Sequence, residues 1–451
     1  MKITSSIVAL LLLGLSGCGQ QAMPPRLQLA QEIESTWVET ILHAWYPRVV
    51  DQEYGGYLTR FDYQWQLLPQ QPKMIVTQAR HVWTTAKAAQ ELPDDPRYRS
   101  AATHGFRYLK TIMWDTQYGG FYQLRTQEGE TPDSGERDEK RTYGNAFGLY
   151  AVAAYYELTH DPEALDFAQQ IFQWLEDHAY DPVYGGYYQH LRRDGRVIER
   201  PAGAEPRNVT GLKDQNTSIH LLEAFTELYK VWPDTLVRQR LLEMLHLIRD
   251  TIITDRGHLV MFFQPDWTPV SFQDSTKAFI RQNYYVDHVS FGHDVETAFL
   301  MLEASHVLGI EEDELTLTVA KRMVDHALAN GWDHEFGGIF DVGYYFAGED
   351  SLTILTDHKT WWSQVEALNA FLMMSLLFPD EEIYYQRFLQ QWHFIDTFLI
   401  DHQHGGVYPR PIARHEDAKT ANKAQEWKGS YHNSRALMNS VRMLKQQELP
   451  F

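Results

Sequence analysis

Apolar residues recur every three or four positions along most of the chain, the spacing that places them on one face of a helix. The first stretch, 26–49, carries Leu29, Ile33, Trp37, Ile41 and Trp45 four apart. Further helices are predicted over 77–91, 96–113, 143–159, 162–178, 217–231, 234–252, 291–308, 311–330, 361–378, 381–398 and 431–447. Between them a short tag keeps returning: Asp51 to Tyr54-Gly55-Gly56, Asp115 to Tyr118-Gly119-Gly120, Asp181 to Tyr184-Gly185-Gly186, Asp333 to Phe336-Gly337-Gly338 and Asp401 to His404-Gly405-Gly406. A worn copy, Asp255-Arg256-Gly257, fills the one gap. The tags step by roughly 70 residues, a repeat period that sets the reading of the whole fold.

Twelve helices in six repeats predict an all-α toroid, an (α/α)6 barrel over residues 26–451 with short β-hairpin-like connections such as a strand-like 57–63. Every second helix is richer in small and apolar residues (Ala146, Ala151, Ala153, Ala154; Ala298, Leu300, Ala304) and is expected to form the inner ring. The paired glycines suit a tight turn at positive φ, and the tag Asp can accept from the turn's own N–H groups. The tags are therefore read as architecture, and so is the metal-like His402-x-His404 spacing inside one of them.

Composition narrows the functional classes. The 451 residues are 44% hydrophobic and 22% charged, which suits one large globular core. A formal charge of −20, with no Lys/Arg-rich run, would repel a phosphate backbone and argues against nucleic-acid binding. Aromatic residues reach 13%, and flat rings with a polar edge suit either core filling or stacking on a pyranose. No Gly-x-Gly-x-x-Gly follows a strand, so no nicotinamide cofactor is expected.

The N-terminus reads as a targeting segment over 1–17: Lys2, then an apolar run from Ile7 to Leu13 too short to span a bilayer. Leu15-Ser16-Gly17-Cys18 resembles a bacterial lipoprotein cleavage site, and Cys18 is the chain's single cysteine. The expectation is lipidation at Cys18, a tether over 18–25, and an anchor at the cell envelope, on the periplasmic face of the outer membrane given Gly19 after the cysteine. The lipid would be its contact with membrane, and a monomer or weak homodimer is expected.

In such a barrel the pocket is the mouth where the inner helices begin. Unusual polar and aromatic residues cluster at those starts: Arg80; Tyr143 and Asn145; Asn216 and His220; His293 and Glu296; Trp361 and Trp362; Trp427 and His432. Asn216 and His220 are four apart and share a face, and His293 and Glu296 are three apart, so the carboxylate can hold the imidazole and raise its basicity. Three histidines converging on one mouth suit a metal site or acid/base work, and spacing alone does not separate the two.

Taken together, Asn216-Thr-Ser-Ile-His220-Leu-Leu-Glu223, His293-Asp-Val-Glu296, Lys359-Thr-Trp361-Trp362-Ser-Gln364 with Glu366, and Tyr431-His432-Asn433-Ser434-Arg435 resemble the N-acylglucosamine 2-epimerase family, most closely its cellobiose and mannobiose 2-epimerase branch. The resemblance implies an isomerase that epimerises C2 of a reducing-end sugar without metal or other cofactor. It implies His293 and His432 as the acid/base pair, Glu296 orienting His293, and Arg80, Asn216 and His220 binding the sugar and its developing charge. Trp361, Trp362 and Trp427 would stack on the sugar, and Tyr143, Asn145 and Glu366 complete the expected substrate-binding set at the mouth. A longer segment around 343–350 departs from the pattern. Three rivals remain: an aldose–ketose isomerase of the same family, a glycoside hydrolase of the same barrel, with Glu296 and Glu366 as its carboxylate pair, and a sugar-binding lipoprotein without turnover.

Overall fold

A computed structural model describes residues 25–133 and 139–451. The expected leader and Cys18 lie outside these residues, and Pro25 already opens the first helix instead of belonging to a tether. No helix among the described residues is long and apolar enough to cross a membrane.

The inner ring consists of Ile75–Glu91, Thr142–Thr159, Gln215–Val231, Phe291–Val307, Trp361–Leu377 and Tyr431–Gln446. Each packs against the next in that order, and the last returns to the first. These helices are buried on nearly every side, as in Gln215–Val231, where burial runs unbroken from Thr217 to Leu228. The outer helices bury only a stripe, as in Pro162–His178 with Ala164, Phe167, Ala168, Ile171 and Leu175. Four of them start at an aspartate that caps free N–H groups: Asp95, Asp161, Asp234 and Asp313. Each outer helix packs on the inner helix that precedes it in the chain, and Pro25–Ser35 packs on the final one, Tyr431–Gln446, closing the ring.

The connections differ from the expected local hairpins. The strand just before an inner helix pairs with the strand that follows the next tag: Lys73–Met74 with Leu124–Arg125, Glu139–Arg141 with His190–Arg192, and Lys213–Asp214 with Phe262–Phe263. Val289–Ser290 pairs with Val342–Tyr344, which also pairs with Thr353–Ile354. The region 57–63 is not a strand; it makes single bridges, of which Phe61 to Ala424 joins the first repeat to the last. Adjacent repeats are thus stitched at the end of the barrel where the inner helices begin.

The tags are turns. Asp51 Oδ1 accepts from the N–H groups of Glu53 and Tyr54, and Gly55 and Gly56 stand at φ 80° and 66°. A Cβ on Gly56 would lie 2.7 Å from the Tyr108 ring. Five of the six turns are completed by a feature the tags do not announce, a buried lysine ahead of the next inner helix. Lys73 Nζ donates to Asp51 Oδ2 (2.7 Å) and to the Gly55 carbonyl (2.6 Å). Lys140, Lys213, Lys359 and Lys423 bind Asp115, Asp181, Asp333 and Asp401 in the same way.

The worn fourth repeat carries something else. After its tag comes a long excursion with a short helix, Lys277–Asn283, and a single turn, Tyr284–Val286, neither of which the periodicity predicts. Two small apolar clusters anchor it, Val286 with Leu212, Met261 and Phe262, and Ile280 with Tyr344 and Phe346.

Candidate active site

The mouth of the inner ring holds a cavity of about 290 Å³ lined by Arg80, Tyr143, Asn216, Tyr285, His220, His293, Glu296, Trp361, Trp362, Trp427 and His432. An adjoining cleft of about 430 Å³ shares Tyr143, Asn216, Tyr285, His293, Trp362 and Trp427 with it. The six-fold geometry explains the convergence. His220, Glu296 and Glu366 occupy the same turn of their respective inner helices, and so does Arg80, so all point toward the barrel axis.

Each cavity histidine is held from behind through Nδ1. Ser290 Oγ lies 2.8 Å from Nδ1 of His293. Glu223 Oε2 accepts from Nδ1 of His220 at 2.8 Å, and Glu366 Oε1 from Nδ1 of His432 at 2.7 Å. An ionised carboxylate only accepts, so in His220 and His432 Nδ1 carries the hydrogen and Nε2 is left as the basic nitrogen toward the cavity, whereas the Ser290 hydroxyl can either donate to or accept from His293. The Trp362 ring neighbours both histidines of the expected pair, 4.8 Å from His293 and 5.6 Å from His432, centroid to centroid.

Behind this layer one guanidinium gathers three carboxylates. Arg435 Nη2 donates to Glu296 Oε1 (2.5 Å) and Glu366 Oε1 (2.7 Å), while Nη1 donates to Glu223 Oε1 and to Tyr431 Oη (2.6 Å). Nothing in the group is exposed by more than a tenth. Burial pushes the Glu223 carboxyl up, but Arg435, His220 and Tyr431 outweigh it and bring it down to about 2. Burial wins at Glu366, which is raised despite Arg435. Burial also pushes His293 and His432 well below the ordinary imidazole value, helped by Arg80. Both are therefore neutral in the empty site at neutral pH. Arg80 itself lies over the Phe147 ring (4.4 Å) and donates to Tyr143 Oη (3.1 Å), presenting a fixed positive charge at the cavity wall.

Glu296, Glu366 and His432 form the one group among the described residues with the spacing to hold a metal ion. The Oε1 atoms of both carboxylates already accept from Arg435, so the positive charge at that point is supplied by the protein.

The profile of the N-acylglucosamine 2-epimerase (GlcNAc 2-epimerase) family matches residues 56–436. The chain belongs to this family. It is 30% identical over 408 residues to a cellobiose 2-epimerase from Bacteroides fragilis, covering 90% of this chain and 97% of that protein. The solved structure of a cellobiose 2-epimerase from Spirochaeta thermophila superposes with a TM-score of 0.78 at 28% identity, covering 94% of this chain and 99% of that one. A D-mannose isomerase from Thermobifida fusca is 24% identical over 333 residues, 72% of this chain and 75% of that protein. The protein is thus an enzyme of the isomerase class, and sugar 2-epimerisation is the activity this family supports.

Set in this epimerase-family barrel, most residues expected at the mouth line the cavity, and two do not. Asn145 is fully buried behind it: Oδ1 accepts from the Phe121 N–H (2.8 Å) and Nδ2 donates to the Arg141 carbonyl (2.8 Å), so its amide is spent on holding a tag to an inner helix. Glu366 sits behind His432 and does not face the cavity. The expected His293–Glu296 pairing is also corrected. Glu296 turns to Arg435, because a buried carboxylate gains more from a guanidinium than from a neutral imidazole, and Ser290 takes His293 instead. The i,i+3 pairing does occur, one repeat earlier, in His220–Glu223. Glu223, Tyr431 and Arg435 were in the recognised motifs without a role assigned to them. Tyr285 had no signal at all, because it lies in the aperiodic excursion of the worn repeat.

Proposed function

We propose that the protein inverts C2 of the reducing-end hexose of a β-1,4-linked disaccharide, interconverting glucose and mannose units by removal and return of the C2 proton. The observation that carries this reading is the pair of histidines, each held through Nδ1 and each beside Trp362, in one cavity. The adjoining cleft gives a second sugar unit a place beyond the first.

Once the sugar ring opens, the C1 carbonyl makes the C2 hydrogen acidic. Nε2 of one histidine takes that proton, and the electrons move into an enediolate whose oxygens meet the Arg80 guanidinium, while Nε2 of His220 is placed to accept from a sugar hydroxyl. Fixed donors aimed at developing charge are effective in a site shielded from water. The second histidine, neutral in the empty site, must take up a proton from solvent before the step, and it returns that proton to the opposite face of C2. The two then stand with roles exchanged, ready for the reverse direction. Glu366 behind His432 offsets the charge of its imidazolium. A hydrolase would need two carboxylates at the scissile bond, and here Glu296 and Glu366 are both bound to Arg435.

Incubation with cellobiose, mannobiose, glucose and mannose in deuterated water tests the proposal. The expected product is the C2 epimer of the disaccharide, carrying deuterium at C2, with no free hexose released. A product that keeps its original C2 hydrogen would exclude the histidine pair. Ketose as the main product would favour the aldose–ketose isomerase reading, to which the D-mannose isomerase likeness lends support. In the same assay His432→Asn is expected to lower turnover by about 10²–10⁴-fold, the usual range for a lost acid/base group, while sugar binding stays measurable.

A further inference from the structure

The buried guanidinium behind the site does not touch the cavity. Arg435 is absent from its lining, yet it reaches Glu223 and Glu366, which hold His220 and His432, and Glu296, whose Oε1 lies 3.8 Å from Nδ1 of His432. We propose that Arg435 is a positioning residue of the reaction: a single guanidinium that locks the supports of two cavity histidines into one charge-balanced unit. This inference rests on the acid/base role of His432 set out above.

The geometry gives the guanidinium a task that no other group can take over. Three inner helices, Gln215–Val231, Phe291–Val307 and Trp361–Leu377, each bring one buried carboxylate to the axis, and a fourth, Tyr431–Gln446, brings Arg435. The groups facing Glu366 are Arg435 and His432 from Tyr431–Gln446, Glu296 from Phe291–Val307, and Glu223 and His220 from Gln215–Val231. Arg80 from Ile75–Glu91 supplies the other positive charge of the site. Remove Arg435 and three carboxylates share one desolvated space, which they cannot all do while ionised. Glu223 keeps His220 and Tyr431 as donors. Glu366 keeps only His432, and Glu296 keeps no side-chain donor, its nearest being His432 Nδ1 at 3.8 Å. Burial already raises Glu366, with Arg435 the main group opposing it, and Glu366 is the carboxylate that holds His432, so its protonation is the one that reaches the acid/base step. A protonated Glu366 no longer offsets the His432 imidazolium, and the acid/base step fails until the pH is high enough to ionise it again.

This predicts a signature that a merely structural residue would not give. In Arg435→Gln, kcat at neutral pH is expected to fall about 10²-fold or more, within the range for impaired acid/base catalysis. KM should stay within a few-fold, and activity should climb with pH along a limb that the unmodified enzyme lacks. Arg435→Lys, which restores the charge without the fork, is expected to recover part of kcat and to shift that limb toward neutral pH. Glu366→Gln fixes the carboxyl in a neutral form and should be as slow as Arg435→Gln, with no alkaline recovery. Adding Arg435→Gln to it should cost little more, since the two changes remove the same support.

A kcat within a few-fold of normal in Arg435→Gln, an equal loss at every pH, or an alkaline limb that persists in Glu366→Gln would each overturn the inference. Should Arg435→Gln fail to fold, Glu366→Gln decides alone, and near-normal turnover in it is the overturning result. His432→Asn separates the two claims. If that variant still turns over, the acid/base reading itself fails. If it is dead while Arg435→Gln is unaffected, only the positioning role is lost.

Discussion

His220, His293 and His432 each give one nitrogen to the protein and keep the other for the cavity, and the partner chosen decides what the residue can do. Their place at the mouth follows from residue type and repeat position alone. Their partners do not, because i,i+3 spacing offers a bond without saying which competitor will win the carboxylate. Asp294, beside His293, shows the same limit. It occupies the inner-helix position where Gln78 and Gln364 use an amide both to accept from and donate to the residue after a tag, Tyr57 and Ile339 respectively. Asp294 only accepts, from Leu259 N–H (2.9 Å). Its Oδ2 is buried without a hydrogen-bond partner among the described residues, with His326 Nδ1 no nearer than 4.0 Å. Burial pushes this carboxyl well above its usual range. The folded state therefore holds a proton that the unfolded chain releases above about 3.9, and stability is lost as pH rises from there toward the folded value. Asp294→Asn should remove that loss and supply the missing donor, raising stability at neutral pH by about 1–3 kcal/mol, the cost of a buried unsatisfied group. Thermal unfolding of both proteins across the acid to neutral range checks it, and an unchanged pH dependence would refute it.

At the scale of the element, each tag and the lysine ahead of the next inner helix make one clasp. The Asp and the two glycines announce themselves in the sequence because they are contiguous. The lysine does not, since about twenty residues of connection separate it from its partner, as with Lys73 and Asp51. A constant offset was nevertheless present: Lys73, Lys140, Lys213 and Lys359 each stand two residues before an inner helix. The fourth repeat lacks the clasp: Val289 holds the lysine position, its tag keeps a single glycine, Gly257, and its Asp255 is exposed where the other tag aspartates are buried. That joint change is what a paired device predicts, because either half alone would leave a buried group unmatched. Lys213, wholly buried, donates to Asp181 Oδ2 (2.6 Å), the Gly185 carbonyl (2.8 Å) and the Pro265 carbonyl (2.8 Å). Lys213→Met should therefore destabilise by about 3–5 kcal/mol, the range for stripping one partner from a buried ion pair. The double change Lys213→Met with Asp181→Asn should cost clearly less than Lys213→Met alone. Chemical denaturation of the three variants measures the difference, and a double variant less stable than Lys213→Met would show that the clasp is not a pair.

For the whole molecule, the repeat sets a symmetric ring and the worn repeat breaks it on purpose of position: the excursion that replaces the fourth clasp is the source of Tyr285, the one cavity residue from outside the inner-helix starts and the Trp427 connection. Periodicity locates the ring because every repeat must bury the same face against its neighbours. It is silent about the excursion, whose fold depends on contacts with distant segments. The lengthened stretch near 343–350 was visible as an insertion, but its purpose was not. Tyr344, on the strand that pairs with Val289–Ser290, donates to Asp287 Oδ2 (2.8 Å), and Asp287 also accepts from the Phe272 N–H (2.5 Å). The insertion thus braces the turn that carries Tyr285. Tyr285 borders both the inner cavity and the adjoining cleft and remains half exposed, so it meets a sugar that spans the two. Tyr285→Ala should raise KM for a disaccharide about tenfold, equivalent to about 1.4 kcal/mol, through loss of aromatic contact. KM for a single hexose should move much less, and kcat for either sugar should stay within a few-fold because the histidine pair is untouched. Tyr344→Phe, which only loosens the brace, should shift the disaccharide KM in the same direction by a smaller factor. Equal changes for hexose and disaccharide would place Tyr285 at the reacting sugar instead of at its neighbour.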